Sequence, residues 1–283
     1  LRNEKILNFE NNNKTVFAII RNYQLQSKLL KSLKKDKLCK FKQNFDYNLS
    51  NLKKYKLIIN CENDNYFTKK FFARSLKKKY DSFAYTTILK HKKIKNNTAS
   101  QIFTKNGPIA FLPISKTQTS VVYSLKTKFS KNMDDIKRLI YKFNPNYDII
   151  KIGTISKVGL NSSNLRNYYK DNILAFGDLL HKVHPLAGQG FNMSLRDISC
   201  LSKLIDEKLD LGLDLDTTIC HNFEKEMRDK NLIFSTGIDW IYQFFYFEGK
   251  TNNEIISKSL NILGKNKFFN SLFKKFADNG LSL

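Results

Sequence analysis

At 283 residues and 41% hydrophobic content, the chain can hold two domains or one elaborate one, with a sizeable core. A formal net charge of +24 admits an anionic partner, but only seven of the 49 basic residues are Arg and Asn is abundant, so the excess reads as a Lys-rich composition and not as a nucleic-acid site. The four cysteines show no C-x-x-C spacing and fit free thiols in a reducing, cytoplasmic setting, and no apolar run approaches the length of a membrane span.

In chain order, Thr15 to Ile20 reads as a strand, and Leu25, Leu29, Leu30 and Leu33 mark a helix after it. The Lys-rich stretch from Lys31 to Lys42 reads as solvated. Tyr55 to Asn60 is a second strand, followed by a polar turn in which Asn63 can take positive φ at modest cost. Phe83–His91, Ala99–Thr104, Ile109–Ile114 and Ser120–Leu125 form an antiparallel meander, with Asn106-Gly107 as a hairpin turn. Asn132 caps a helix carrying Met133, Ile136, Leu139, Ile140 and Phe143, which Pro145 ends.

The most informative stretch is Gly177 to Asp197. An apolar run, Asn172 to Phe176, leads into Gly177 and reads as a buried strand. Leu195, Ile198, Leu201, Leu204, Ile205 and Leu209 follow at helical spacing. The stretch is therefore a strand, a polar loop and a helix start. Helix starts present unpaired N–H groups and partial positive charge. Gly188 and Gly190 let a flat ring or a phosphate approach the backbone, Asp178 can accept hydrogen bonds from ligand hydroxyls, and Pro185 stiffens the loop. His181 and His184 do not make a metal site alone, since no third ligand completes one. A packing or loop-fixing role is the expectation for both. Beyond Leu209, helices are expected over 222–246, 252–263 and 267–277. The aromatic cluster of Trp240, Tyr242, Phe244, Phe245, Tyr246 and Phe247 is expected in the core, with an isoprenoid-tail or membrane-interface role as the alternative.

Gly177-Asp178, His184-Pro185 and Ala187-Gly188-Gln189-Gly190-Phe191-Asn192 together resemble the second FAD-binding motif of the class A flavin monooxygenases, in the ubiquinone-biosynthesis hydroxylase branch. The sequence departs from that pattern at Leu179, Leu180 and Ser194. Thr98 to Pro113, with its Gly-Pro-x-Ala-x-Leu-Pro ending, resembles the substrate-domain signature of the same branch. Asn22, Leu25, Gln26 and Leu29 fit a weaker family segment. Around Glu62, Asn63 and Lys69 the agreement with a Gly-Ala-Asp-Gly motif is only positional.

The resemblance implies an α/β (mixed α+β) fold. Residues 1–80 and 161–210 would form an incomplete Rossmann-like FAD-binding domain, 81–160 an antiparallel-sheet substrate domain, and 211–283 C-terminal helices. No Gly-x-Gly-x-x-Gly cradle is found among the eleven glycines. The expectation is either the C-terminal part of a longer protein or a chain that has lost the cradle. The implied activity is hydroxylation of a polyprenylated phenol with FAD, NAD(P)H and O2. No catalytic side chain is expected, because the cofactor carries the hard step. The implied FAD-binding residues are Asp178, Pro185, Gly188, Gln189, Gly190, Asn192 and Gln26, with no metal. A quinone precursor, a biosynthetic complex and the inner-membrane surface are the implied partners, and nucleic acid is not. The alternative is a non-catalytic relative that binds the prenylated ring or scaffolds a complex, motivated by the missing cradle and the altered Glu62-Asn63 turn.

Overall fold

The computed structural model describes residues 17–43, 47, 52–129, 132–185 and 188–251. In chain order the elements are α1 (Asn22–Lys35), β1 (Ile58–Asn60), α2 (Tyr66–Phe71), β2 (Ser75–His91), β3 (Ser100–Thr104), β4 (Gly107–Ser115), β5 (Gln118–Lys126), α3 (Met133–Phe143), β6 (Ile149–Ile152), β7 (Ser156–Leu165), β8 (Tyr169–Lys170), β9 (Ile173–Ala175), β10 (His181–Lys182), α4 (Gln189–Asp210) and α5 (Thr217–Thr251).

The strands form two sheets. In the small one β1 runs parallel to β9, with Ile58 opposite Ile173 and Asn60 opposite Ala175, and β8 adds antiparallel to β9. The chain thus leaves the small sheet after β1, builds the large sheet, and returns at β8 and β9. The large sheet runs β10-β7-β2-β5-β4-β3, with β6 also on β2. β2 is its spine. It pairs with β7 from Ser75 to Lys79, slips register, and resumes with β7 from Phe83 to Thr86, while its other edge pairs with β5 from Ser82 to Lys90. Asp81 takes φ 46° at the slip. A bulge needs such a residue, and Asp tolerates this region better than most.

Three cores hold these layers. One lies between the small sheet and the helices, with Leu174, Leu180, Leu201, Phe223 and Tyr168 among its buried members. A second lies under α3, where Ile136 and Ile140, one turn apart, meet Phe111, Tyr123 and Leu125 of the large sheet. These five side chains are almost wholly buried, and burial of each is worth roughly 1.5–3 kcal/mol. The third, Met193, Phe234 and Ile238 with Phe103 and Val183, joins α4 and α5 to β3.

The cap on α3 is as expected: the Asn132 side chain accepts from the Asp135 N–H at 2.8 Å. Asn132→Ala is expected to cost about 1 kcal/mol, read as a lower urea midpoint at constant m.

Several expectations need correction. Residues 17–20 are irregular, and Thr15 and Val16 lie outside the described residues. Strand-like composition does not make a strand where no ladder partner stands beside it. The second strand covers only 58–60. Asn63 does not take positive φ. A side-chain network shapes its turn instead: Asn65 donates to Asn60 at 2.7 Å, Asn60 to Thr68 at 2.9 Å, and Thr68 N–H to Asn65 at 2.9 Å. The hairpin loop is Lys105-Asn106, because Gly107 already pairs with Thr104 in the ladder. One helix, α5, starts at Thr217 and runs through the span expected for the helix over 222–246; the segments 252–263 and 267–277 lie outside the described residues. The aromatic cluster divides. Tyr242 is buried, Trp240 and Phe247 are about 60% exposed, and the side chains of 244–246 lie outside the described residues. A helix in contact on one side turns aromatics seven residues apart, such as Trp240 and Phe247, to one face, here the exposed one.

Candidate functional site

β1 and β9 end side by side, at Asn60 and Ala175. Ligands of open α/β sheets bind outside such carboxyl ends of parallel strands. After β9, Gly177 at φ 63° turns the chain into a single 3-10 turn that presents Asp178 to solvent. This turn packs against α4. β10 then crosses to the large sheet, where His181 and Lys182 pair with Asn164 and Ser163 of β7. The motif therefore stitches the two sheets together.

Pro185 is exposed, and Gly188 opens α4 from the left-handed region at φ 65°, ψ 25°. A Cβ on Gly188 would meet nothing within 4 Å, so the helix start borders open space. Among the described residues no side chain caps α4, which leaves its first-turn N–H groups without a side-chain acceptor at the cap. Gly190 lies against Val183, with 3.6 Å from an added Cβ to the Val183 Cγ2. Asn192 is exposed and donates to the Gln189 side chain at 3.3 Å. Asp178, Pro185, Gly188, Gln189, Gly190 and Asn192 thus belong to one continuous strand–loop–helix unit.

Gln26 is carried by a different element, α1. It is exposed on α1, in an open groove of about 620 Å³ with Tyr23, Ser27 and Leu30, and no hydrogen bond joins it to the motif among the described residues. α1 has no buried residue. Its start is tied to β5 by Arg21, whose guanidinium donates to the Gln118 side chain.

The loop is held from beneath by a buried polar chain. His181 Nε2 bonds Asp197 on α4, both side chains being shut off from solvent. Asn231 on α5 donates to the other Asp197 oxygen at 2.9 Å. His181 thus has the loop-fixing role expected of it. His184 goes to a different place, a fully buried slot between Tyr80 of β2 and Tyr242 of α5. Burial lowers its pKa to about 4, so its ring is neutral at neutral pH. Beside it, the Tyr80 hydroxyl donates to Asp239, which also receives Lys78 at 3.0 Å; burial pushes the Tyr80 hydroxyl's pKa up.

The buried face of α4 carries Met193, Asp197, Leu201 and Leu204, while Leu195, Ile198 and Leu209 are exposed. Sequence reasoning missed Asp197, Asn231 and the Tyr80–Asp239 pair. A signal for Asp197 existed: it lies four and seven residues before Leu201 and Leu204, in phase with the core face.

Residues 109–212 match a family model described as "FAD binding domain". The chain is 24% identical over 234 residues to the zebrafish (Danio rerio) protein "Ubiquinone biosynthesis monooxygenase COQ6, mitochondrial", covering 67% of this chain and 48% of the relative. It is 26% identical over 156 residues to the "3-demethoxyubiquinol 3-hydroxylase" of Escherichia coli (strain K12), covering 51% of this chain and 39% of that protein. The chain thus spans half or less of the length of these relatives. Among solved structures, p-nitrophenol 4-monooxygenase PnpA from Pseudomonas putida DLL-E4 superposes with a TM-score of 0.62 at 12% identity, over 79% of this chain and 59% of that one. HpxO of Klebsiella pneumoniae, complexed with FAD and uric acid, gives 0.59 at 11% identity, over 80% and 60%. At such identities these two structures speak for the fold alone. The family match over 109–212 and the curated relatives make this chain similar to FAD-dependent monooxygenases of ubiquinone biosynthesis, and the strand–loop–helix motif with its antiparallel sheet agrees with that likeness.

Proposed function

We propose that this protein is an FAD-dependent hydroxylase of ubiquinone biosynthesis, using NAD(P)H and O2 to hydroxylate the ring of a polyprenylated phenol. The observation that carries the reading is the start of α4 at Gly188, which among the described residues has no side-chain cap and borders open space. The residues present fit a flavin. A Cβ-free left-handed cap admits a flat ring, and free N–H groups with a helix dipole suit its electron-rich pyrimidine edge. Asp178, exposed at the strand's end, would suit the ribityl hydroxyls, and Gln189, Gly190 and Asn192 would hold the ring's side. FAD, when bound, supplies the oxygen chemistry. The side chains bind and orient: the His181–Asp197–Asn231 chain fixes the loop, and the large sheet shields and aligns the phenol.

The full-length protein is expected to purify yellow. Asp178→Ala is expected to weaken FAD binding about tenfold, close to 1.4 kcal/mol, measured by fluorescence titration. Because Asp178 is exposed, the melting temperature without flavin should not move. A colourless protein indifferent to added FAD would remove this reading.

The second reading is a non-catalytic relative that binds a prenylated ring or scaffolds a complex. The turn after β1 favours it, since Asn60, Asn65 and Thr68 satisfy one another there and leave no glycine opening for a nicotinamide donor. NAD(P)H consumption on adding a prenylphenol decides against it. Either way we place the protein on the inner-membrane surface as a peripheral partner. Among the described residues no helix is long and apolar enough to cross a membrane, while α5 exposes Ile233, Trp240 and Phe247 on a strongly basic chain.

A further inference from the structure

His184 is unusual among the buried polar side chains. Its ring has no solvent exposure, yet neither ring nitrogen has a hydrogen-bond partner among the described residues. Tyr242 stacks on it, with centroids 4.2 Å apart and planes 29° apart, and Tyr80 meets it edge-on at 4.9 Å and 88°. Both clamping rings are anchored. Tyr80 donates to Asp239, and the Tyr242 hydroxyl lies 3.2 Å from the Ser82 hydroxyl. β2, α5 and the motif loop thus converge on one imidazole.

A phenylalanine would fill this slot without desolvating two nitrogens. Packing alone therefore does not account for a histidine here. What the imidazole adds is a second state, protonated, in which both ring N–H groups would be donors with no acceptor in a dry slot. Stacking on the Tyr242 ring favours a cation, but two unpaired donors outweigh it. The charged groups facing the ring are Asp239 of α5, which favours protonation, and Lys78 of β2, which opposes it; burial is the larger effect. The other titratable neighbours are Tyr80 and Tyr242, and burial pushes the Tyr80 hydroxyl's pKa up.

We propose that His184 is a positioning residue for the start of α4 at Gly188, holding it through the Tyr80–Tyr242 clamp only while its ring is neutral. Between the ordinary 6.5 and about 4, a released ring takes up a proton that the clamped ring does not. The clamp is therefore at full strength above that window and weakens as pH falls through it. The inference rests on the flavin reading only for what the start of α4 would hold.

The test is hydrogen exchange on the full chain at pH 7 and pH 5, corrected for intrinsic rates, at the amides of residues 181–184 and 193–196. The unaltered protein is expected to lose protection there by roughly threefold or more on acidification, with α3 unchanged. His184→Phe keeps a ring that cannot take a proton, and its protection is expected to be the same at both pH values. Tyr242→Leu removes the stacked ring and is expected to loosen both segments already at pH 7, which keeps the clamp testable should His184→Phe fail to fold. Equal protection at both pH values in the unaltered protein, or an unchanged pH response in His184→Phe, overturns the proposal. FAD absorbance in the same samples separates the two ideas. A pH-dependent exchange with no FAD bound at any pH refutes the flavin reading and supports the clamp; bound FAD with flat exchange does the reverse.

Discussion

Asp197→Ala is expected to destabilise the protein by about 3–5 kcal/mol, the usual cost of breaking a buried pair by removing one partner. His181 and Asp197 are fully buried, and Asn231 donates to the second carboxylate oxygen at 2.9 Å. Truncation leaves an imidazole and an amide without partners in a place water does not reach, so the penalty is their desolvation and not merely a lost contact. Urea denaturation measures it, as a lower midpoint at unchanged m. Asp197→Asn keeps the shape and one acceptor and should cost clearly less. In a double-mutant cycle, His181→Leu with Asp197→Leu should cost less than the two single changes added together, because each change alone strands the other partner. A loss below about 1 kcal/mol for Asp197→Ala would mean that the chain from β10 to α5 is not the fastening described.

Gly107→Ala is expected to cost about 3 kcal/mol, although it adds one methyl group at the edge of a hairpin. The new Cβ would stand 1.9 Å from the Ser124 carbonyl oxygen and 3.1 Å from its carbon, both backbone atoms of the neighbouring strand, at φ 139°. A backbone obstacle cannot rotate away, so β4 must separate from β5 just where Ile109 and Tyr123 begin their pairing over α3. Thr104, which donates to the Gly107 carbonyl at 2.7 Å, would lose its geometry as well. Thermal melting reads the effect, with Asn106→Ala as the near-neutral control. A Gly107→Ala protein that melts with the parent would contradict the close approach.

Those two residues illustrate what could be read from the amino acids and what could not. Gly107 announced itself, since a glycine between apolar runs signals tight backbone, although the ladder puts the turn one residue earlier, at Lys105-Asn106. Asn132 was equally readable, because a cap is local chemistry between residues three apart. The motif from Gly177 to Asn192 was readable as strand, loop and helix for the same reason. Rotational phase was not. Leu195 and Ile198 have the spacing of a buried stripe and are exposed, because α5 and the small sheet select the face of α4, and that face includes a carboxylate. Apolar periodicity does not register a buried Asp whose partners lie 16 residues before and 34 after it. Residues 17–20, part of the strand expected at 15–20, are irregular for a related reason, since extended structure is fixed by a neighbouring strand that no local pattern reveals.

The length of α5 has one more consequence. Asn231 and Tyr242 are eleven residues apart, close to three helical turns, so they share a face and stand about 16 Å apart along one rigid axis. The first reaches His181 through Asp197, and the second presses directly on His184. A segment only four residues long is therefore gripped at both ends by a single rod. Rotating or sliding that rod disturbs both grips together, so the geometry of the loop is set by the straightness of a helix that lies outside the motif.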